Sequence, residues 1–260
     1  MPNKESAASG IRVQRNGKVA TITIDRPSVR NSLDLAAAQA LMAAVDSVEA
    51  DPDVWAAILT GGGDIAFSAG ADLTARLRGE PRAVIDPYGF GGFVRKPRTK
   101  PFIAAVNGYA VGGGFEMAMS CDLVIAAENA SFSLPEVKRG LIGAGDCLPI
   151  MARYLPPVRA AELALTGRQV SARDALELGM VNEIGADAVK LARDYTERIC
   201  ANAPLAVRAT LELLRTLRVQ VPPTYYALAD ARQAVLTATA DAAEGARAFK
   251  EKRAPQWTAS

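Results

Sequence analysis

The chain of 260 residues contains no histidine. This absence excludes the Ser-His and Cys-His pairs of nucleophilic catalysis and metal sites built on imidazole. Acid–base chemistry in this chain must therefore use carboxylates, Lys, Tyr, Cys or backbone groups. If the chain is an enzyme, its glutamates are the most natural proton carriers.

Cysteine and long apolar runs are also scarce. Cys121, Cys147 and Cys200 are widely spaced, odd in number and outside any CxxC pattern, so we expect buried reduced thiols without a disulfide framework. No run of about eighteen apolar residues predicts a membrane span. The first ten residues, MPNKESAASG, lack the apolar segment of a signal peptide and are typical of a frayed tail. We expect a cytoplasmic protein that does not engage a membrane.

A strong charge of either sign is missing too. The 30 Lys and Arg residues nearly balance the 28 Asp and Glu residues, and no basic block stands out, which argues against nucleic acid as a partner. Half of the residues are hydrophobic and 22% are charged, enough for a sizeable core in one large domain or in a core with a smaller appendage.

The stretch 105–136 combines glycines with two glutamates. A short apolar strand at 102–106 precedes the run Gly112 to Gly114, and 112–121 predicts a buried helix with Glu116 in its first turn. Exposed N–H groups and the positive end of the dipole make such a helix start a seat for negative charge. The structural alternative is a glycine run that lets two backbones pack closely, with a glutamate favoured only by the dipole.

The same arrangement occurs earlier in the chain. A predicted strand at 55–60 leads through GGGDIAFSAGADL to the start of a helix at Asp72. The N–H groups of Ala71 and Gly113 could therefore bind one oxygen between them, as a thioester oxygen requires when an enolate forms. Twenty residues after Glu116, Glu136 can return to face it across the same opening.

Other local patterns complete the outline. The segment 11–25 predicts a hairpin with a type I′ turn at Asn16-Gly17, and Ser32 is the predicted cap of a helix that ends before Pro52.

The segments that follow are a loop, a last strand and a helical region. The loop 76–95 carries Tyr88, Phe90 and Phe93, which either line an apolar pocket or anchor the loop. A last strand is predicted at 181–184, and helices over 186–252 are predicted to break at Pro204 and at Pro222-Pro223.

Several motifs together resemble the enoyl-CoA hydratase, or crotonase, superfamily. They are FSAGADL at 67–73, AAVNGYAVGGGFE at 104–116 and FSLPE at 132–136, followed by LTGRQVSARDALELGMVNEI at 165–184 and EGARAFKEKRAP at 244–255. The wording NGYAVGGGFE and NASFSLPE is similar to the carnitinyl-CoA dehydratase branch.

The resemblance implies an α/β fold, a crotonase-like spiral of ββα units with a C-terminal helical oligomerisation region. It places the core with its active site at 10–202 and the helical region for trimer packing and CoA closure at 203–260. It further implies a homotrimer or homohexamer, and no cofactor or metal apart from the coenzyme A of the acyl-CoA thioester substrate.

The activity implied is addition of water to a 2-enoyl-CoA, or the reverse dehydration. Ala71 and Gly113 would hold the thioester oxygen, Glu116 the water, and Glu136 the proton at C2, with the swapped roles of the glutamates left open. The alternatives are a carnitinyl-CoA dehydratase, a Δ3-Δ2 enoyl-CoA isomerase and a non-catalytic acyl-CoA binding protein.

The resemblance also implies a coenzyme A site, with adenine on the backbone of 68–73, phosphate near Arg30, and a C-terminal pair that closes on the nucleotide from the same or a neighbouring subunit. A solvated terminal helix is the alternative for that pair. The implied residues are Arg30, Ser68, Ala69, Gly70, Asp72, Leu73, Gly112, Phe249 and Lys252.

One segment departs from the pattern of the superfamily. In GLIGAGDCLPIM, at 140–151, Asp146 and Cys147 stand where small residues are usual. Asp146 is expected to cap the helix that begins near Leu148. Alternatively, it pairs with a cationic acyl group.

Overall fold

Two β-sheets form the framework of the molecule in a computed structural model that describes residues 10–217 and 221–258. Nine of the ten residues of the predicted N-terminal tail lie outside this range. The larger sheet has the strand order β1-β2-β3-β7-β9-β12, the smaller β11-β10-β8-β4, and β5 pairs with β6. The strands are β1 Ile11–Asn16, β2 Val19–Ile24, β3 Ala56–Gly61, β4 Ala66–Ser68, β5 Val84–Ile85, β6 Gly89–Phe90, β7 Phe102–Val106, β8 Tyr109–Val111, β9 Leu123–Ala127, β10 Ser131–Ser133, β11 Val170–Ser171 and β12 Glu183–Gly185.

Helices and two short 3₁₀ turns connect the strands. The α-helices are α1 Leu35–Ala50, α2 Leu73–Leu77, α3 Gly113–Ser120, α4 Cys147–Tyr154, α5 Pro157–Thr166, α6 Ala172–Glu177, α7 Ala188–Cys200, α8 Pro204–Thr216, α9 Pro223–Thr237 and α10 Ala240–Glu251. The 3₁₀ helices are Pro27–Val29 and Pro135–Arg139. Among the described residues, no helix combines the length and apolarity needed to cross a bilayer.

The chain repeats one step three times. A strand of the larger sheet is followed by a strand of the smaller sheet and then by a helix: β3, β4 and α2; β7, β8 and α3; β9, β10 and the second 3₁₀ helix. Strands β3, β7 and β9 are parallel, as are β4, β8 and β10. Parallel strands end at the same edge of a sheet, so the three strand-to-helix turns lie side by side. The predicted ββα spiral is confirmed.

The core lies along the central strands. Every residue of β3 and β7 is buried, which explains why they read as continuous apolar runs without alternation. Cys121 and Cys147 are buried as expected, whereas Cys200 is only partly so.

The predicted hairpin forms, but its turn differs by one residue. Asn16 still pairs with Val19, so the loop consists of Gly17 and Lys18. Only Gly17 has a positive φ, a pattern that fits a type II′ turn and not the predicted type I′ turn.

The predicted cap at Ser32 is wrong. Leu33 forms a β-bridge with Ala71, which keeps this part of the chain extended. The first long helix therefore begins two residues later, and Asp34 caps it by accepting a hydrogen bond from the Ala37 N–H at 2.8 Å.

The C-terminal helices begin at Pro204 and Pro223, as predicted. Helix α10 packs closely on the 3₁₀ helix Pro135–Arg139, because a Cβ on Gly245 would lie 2.6 Å from the carbonyl carbon of Arg139. The last helix of the chain thus supports the segment that carries Glu136.

Candidate active site

A cavity of about 680 Å³ opens where the strand-to-helix turns meet. The loop after β4, the start of α3, the second 3₁₀ helix, the turn before α4 and one face of α9 all contribute to its wall. Its lining includes Ala69, Ala71, Leu73, Phe90, Arg95, Gly112, Gly113, Glu116, Glu136, Arg139, Asp146, Cys147 and Tyr226.

The amides of Ala71 and Gly113 lie on adjoining segments of this wall. In the bridge between Leu33 and Ala71, Leu33 bonds to Gly70 O and to the Asp72 N–H, so the Ala71 amide faces the opposite side. A Cβ on Gly70 would lie 2.9 Å from the Gly113 nitrogen, which shows how closely this loop meets the start of α3. Neither the Ala71 nor the Gly113 N–H has a protein acceptor among the described residues. Both donors are therefore available at the cavity wall.

Glu116 is only 4% exposed and is held by the main chain. Its Oε1 accepts hydrogen bonds from the N–H groups of Asp146 at 3.0 Å and Cys147 at 2.9 Å. Burial raises the pKa of Glu116 to about 7, against the lowering effect of the contact with Cys147. A carboxyl group with this pKa exchanges a proton readily near neutral pH.

Glu136 reaches the same cavity from the second 3₁₀ helix. Its Oε1 lies 2.9 Å from the position of a Cβ on Gly112, so a side chain at Gly112 would collide with it. Its Oε2 is buried and has no hydrogen-bond donor among the described residues. Burial raises the pKa of this carboxyl group as well.

Cys147 connects the two glutamates. Its thiol is buried, and its Sγ lies 3.9 Å from Gly112 O. Burial, followed by the negative charges of Glu116 and Glu136, raises the pKa of this thiol well above its usual range. The thiol therefore stays protonated beside both carboxyl groups.

Asp146 occupies the N-cap position of α4, but its side chain caps nothing, and the expected role is wrong. Its Oδ1 accepts a hydrogen bond from the Tyr226 hydroxyl at 2.7 Å, and its Oδ2 lies 3.4 Å from Arg95 Nε. The side chain makes these two contacts and no capping bond. The same contacts already occupy the carboxylate that was considered for a cationic acyl group.

The residues expected to bind coenzyme A separate into two sets. Ala69, Leu73 and Gly112 line the cavity. Ser68 and Gly70 are buried behind it, Arg30 is exposed beside Ala69, and Asp72 caps α2 through the N–H groups of Thr74 and Ala75.

Phe249 and Lys252 lie outside the cavity wall, at the exposed end of α10. The Phe249 ring is 4.4 Å from the guanidinium carbon of Arg139, which itself lines the cavity. Phe249 is therefore linked to the cavity through Arg139.

The loop aromatics differ in their surroundings. Phe90 lines the cavity, Phe93 is fully buried in the core, and the Tyr88 ring lies 4.3 Å from Lys96 Nζ. Both alternatives considered for the loop thus apply, each to different residues.

Sequence reasoning missed Arg95, Arg139 and Tyr226 in the cavity wall. Arg139 could have been found, because it follows FSLPE within one turn. Tyr226 carried no such signal, since its partner Asp146 is eighty residues away.

Known proteins are similar to this chain over nearly its whole length. The family described as enoyl-CoA hydratase/isomerase matches residues 14–260. The carnitinyl-CoA dehydratase of Salmonella typhi is 40% identical over 261 residues, an alignment that covers 96% of this chain and 98% of that protein.

Solved structures agree with this match. A carnitinyl-CoA hydratase from Mycobacterium avium superposes with a TM-score of 0.90 at 43% identity, covering 97% of this chain and 99% of the other. An enoyl-CoA hydratase from Mycobacterium tuberculosis H37Rv has a TM-score of 0.77 at 41% identity, covering 97% and 100%. Because the match spans nearly the whole chain in both sequence and fold, this protein belongs to the enoyl-CoA hydratase/isomerase family.

Proposed function

We propose that this chain is a lyase that adds water across the C2=C3 bond of a 2-enoyl-CoA thioester, or catalyses the reverse dehydration. The observation that carries the proposal is the convergence of two glutamates, one buried and one half-buried, and two unpaired amides on one cavity. The names of the relatives support the same reaction class.

The amides of Ala71 and Gly113 form the oxyanion site. They hold the thioester oxygen and stabilise the enolate-like transition state by about 3 kcal/mol per donor, as measured for comparable donors in other enzymes. Both amides are fixed before the substrate arrives, one by the bridge to Leu33 and the other by the start of α3.

The two glutamates divide the proton transfers. Glu116, held by two amides, binds the water and accepts its proton, because those donors stabilise the carboxylate. Glu136, whose buried Oε2 has no hydrogen-bond donor among the described residues to stabilise a negative charge, delivers the proton to C2. Dehydration runs through the same steps in reverse.

Coenzyme A is held outside this chemistry, as part of the substrate. Ala69 and Leu73 contact it at the cavity entrance, and Arg30 faces a phosphate from the exposed loop beside Ala69. Phe249 and Lys252 close on the nucleotide from the end of α10, where Arg139 connects Phe249 to the cavity. No further cofactor takes part in the reaction proposed.

Two acyl classes compete within this reaction. The named relatives favour a carnitinyl-type acyl group, which carries a permanent positive charge. The buried carboxylate considered as a partner for this positive charge is Asp146. Arg95 already balances the charge of Asp146, since Arg95 Nε lies 3.4 Å from Asp146 Oδ2. This pairing favours an uncharged acyl group such as crotonyl.

Turnover of crotonyl-CoA and crotonobetainyl-CoA tests the proposal directly. Loss of absorbance from the conjugated double bond reports hydration, and Glu116→Gln and Glu136→Gln should each lower kcat by at least about a hundredfold. An isomerase would keep activity in one of the two variants. If acyl-CoA esters bind but none turns over, the protein is a binding module and the proposal is wrong.

The proposal extends to assembly and location. Residues 10–202 form the catalytic core, and residues 203–260 form the region that packs into a homotrimer or homohexamer. The exposed leucines of α8 support this role, and the free thiols of Cys147 and Cys200 suit the reducing cytoplasm.

A further inference from the structure

The orientation of Glu116 depends on one turn of the chain. The N–H groups of Asp146 and Cys147 both donate to Glu116 Oε1. Gly145 precedes them with a φ of +88°, and a Cβ at that position would lie 3.2 Å from the same oxygen. Whatever holds this turn in place therefore also aims the carboxylate.

The side chain of Asp146 ties that turn to two distant segments. It is 6% exposed and contacts Tyr226, on α9, and Arg95, which follows the β5–β6 hairpin. These partners also hold each other, because the Arg95 guanidinium carbon lies 4.7 Å from the centre of the Tyr226 ring. A Cβ on Gly89 would lie 2.9 Å from Arg95 Nε, so the hairpin packs directly against this cluster.

We propose that Asp146, anchored by Tyr226 and Arg95, is a positioning residue that keeps Glu116 aimed into the cavity. Through Tyr226, helix α9 of the C-terminal region becomes part of the catalytic arrangement of its own chain. The inference rests on the proposed function, in which Glu116 transfers protons. A helix-capping role does not compete with it, since the Asp146 side chain makes no capping bond.

Asp146 also acts on Glu116 through its charge. The ionisable groups facing Glu116 in the described part of the chain are Asp146 and Cys147 on α4, Glu136 on the second 3₁₀ helix and Tyr225 on α9. Burial is the main cause of the raised Glu116 pKa, and the negative charge of Asp146 adds to it. Removing that charge while keeping the anchor should lower the pKa.

The first test compares two tyrosines that each stack on an arginine. Tyr226→Phe removes the hydroxyl that anchors Asp146 but keeps the ring against Arg95, and should lower kcat about tenfold with KM changed less than about twofold. Tyr195→Phe on α7 is the matched control, since it also keeps a ring against an arginine, with the Arg198 guanidinium carbon 4.0 Å from the ring centre, but lies outside the cavity wall. It should leave both constants unchanged. An unaltered kcat in Tyr226→Phe overturns the inference.

The second test uses Asp146→Asn, which keeps an oxygen for the Tyr226 hydroxyl and removes the charge. The limb of the pH–rate profile that reports Glu116 should move to lower pH, and ¹³C NMR of the glutamate carboxyl groups should show the same shift. The Glu116 resonance is identified by its loss in Glu116→Gln. An unmoved resonance overturns the coupling, even when no acyl-CoA turns over and the proposed function itself has failed. If Asp146→Asn does not fold, the kcat of Tyr226→Phe decides.

Discussion

Glu116 must carry its negative charge inside the protein whenever the pH exceeds its pKa. Its pKa of about 7 in the folded protein stands above the ordinary value of 4.5. The unfolded chain therefore loses this proton first as the pH rises, and the free energy of unfolding falls between these two values. This difference in pKa lowers the free energy of unfolding by about 3 kcal/mol at pH 8 relative to low pH. The folded state is thus less stable because it holds a carboxyl group that titrates near neutral pH.

Replacement of Glu116 by glutamine should remove this cost. The amide oxygen can still accept from the N–H groups of Asp146 and Cys147, but no charge is buried. We expect Glu116→Gln to be more stable than the parent chain by about 1–3 kcal/mol at pH 8 and nearly equal to it at pH 4. Urea denaturation at the two pH values measures the difference. A variant that is less stable at pH 8 would contradict the account of burial.

Single residues also show how far local patterns reach. Glu116 was found from its place three residues after Gly113, because a helix start is a local event. The contacts of Asp146 with Tyr226 and Arg95 were not found from the sequence. A carboxylate at an N-cap position can bind the N–H groups of its own helix, and nothing in the local sequence indicates a different partner. The Tyr226 hydroxyl binds Asp146 Oδ1 at 2.7 Å because the fold brings α9 next to this turn.

At the scale of elements, α3 packs very closely against β4. A Cβ on Gly114 would lie 2.1 Å from the carbonyl oxygen of Ser68, a backbone atom that cannot rotate away. The glycine run therefore has both meanings considered for it: Gly113 presents an amide, and Gly114 permits close packing.

Gly114→Ala should consequently destabilise the protein. In an isolated helix the change would favour folding by about 1 kcal/mol, but the collision with Ser68 O should reverse the sign and cost about 1–3 kcal/mol. Because the shift displaces the start of α3, kcat should fall as well. Thermal melting and turnover measured on the same preparation test both effects, and an equal or higher melting temperature would show that the two elements can separate.

Element boundaries were predicted well where the chain is locally determined and less well elsewhere. Helix α3 was predicted at 112–121 and spans Gly113–Ser120, since glycines open it and its apolar face is continuous. The start of α1 was placed too early because the bridge between Leu33 and Ala71 joins segments far apart in sequence. A cap that satisfies local rules yields to a long-range β-bridge.

For the molecule as a whole, the helices after Pro204 leave a broad apolar surface. Helix α8 has no buried residue in the single chain, and its leucines Leu213 and Leu214 are 66% and 58% exposed. Apolar groups in such number on one element usually contact another protein surface. We expect further copies of this chain to cover them.

The paired change Leu213→Glu and Leu214→Glu should therefore disrupt the assembly. The parent chain should elute with the mass of a trimer or hexamer, and the variant should form smaller species. Burying an unpaired neutral polar group costs about 2–7 kcal/mol, and burying an unpaired carboxylate costs more. Light scattering after size exclusion gives the mass. Val13→Glu, on the outer strand β1 at 42% exposure, is the control and should assemble normally. A parent chain that elutes as a monomer would refute this prediction.

The helix start at Gly113 follows from a short segment of the sequence, because glycine position and hydrophobic spacing are local properties. The motifs in their order indicate the family, and the ββα steps were expected from that resemblance. Which groups hold Glu116, which side chain Asp146 contacts and how α10 supports the segment of Glu136 depend on contacts between residues dozens of positions apart. Such contacts depend on the packing of the whole chain, because a carboxylate can bind several donors and the fold determines which donor lies within hydrogen-bond distance.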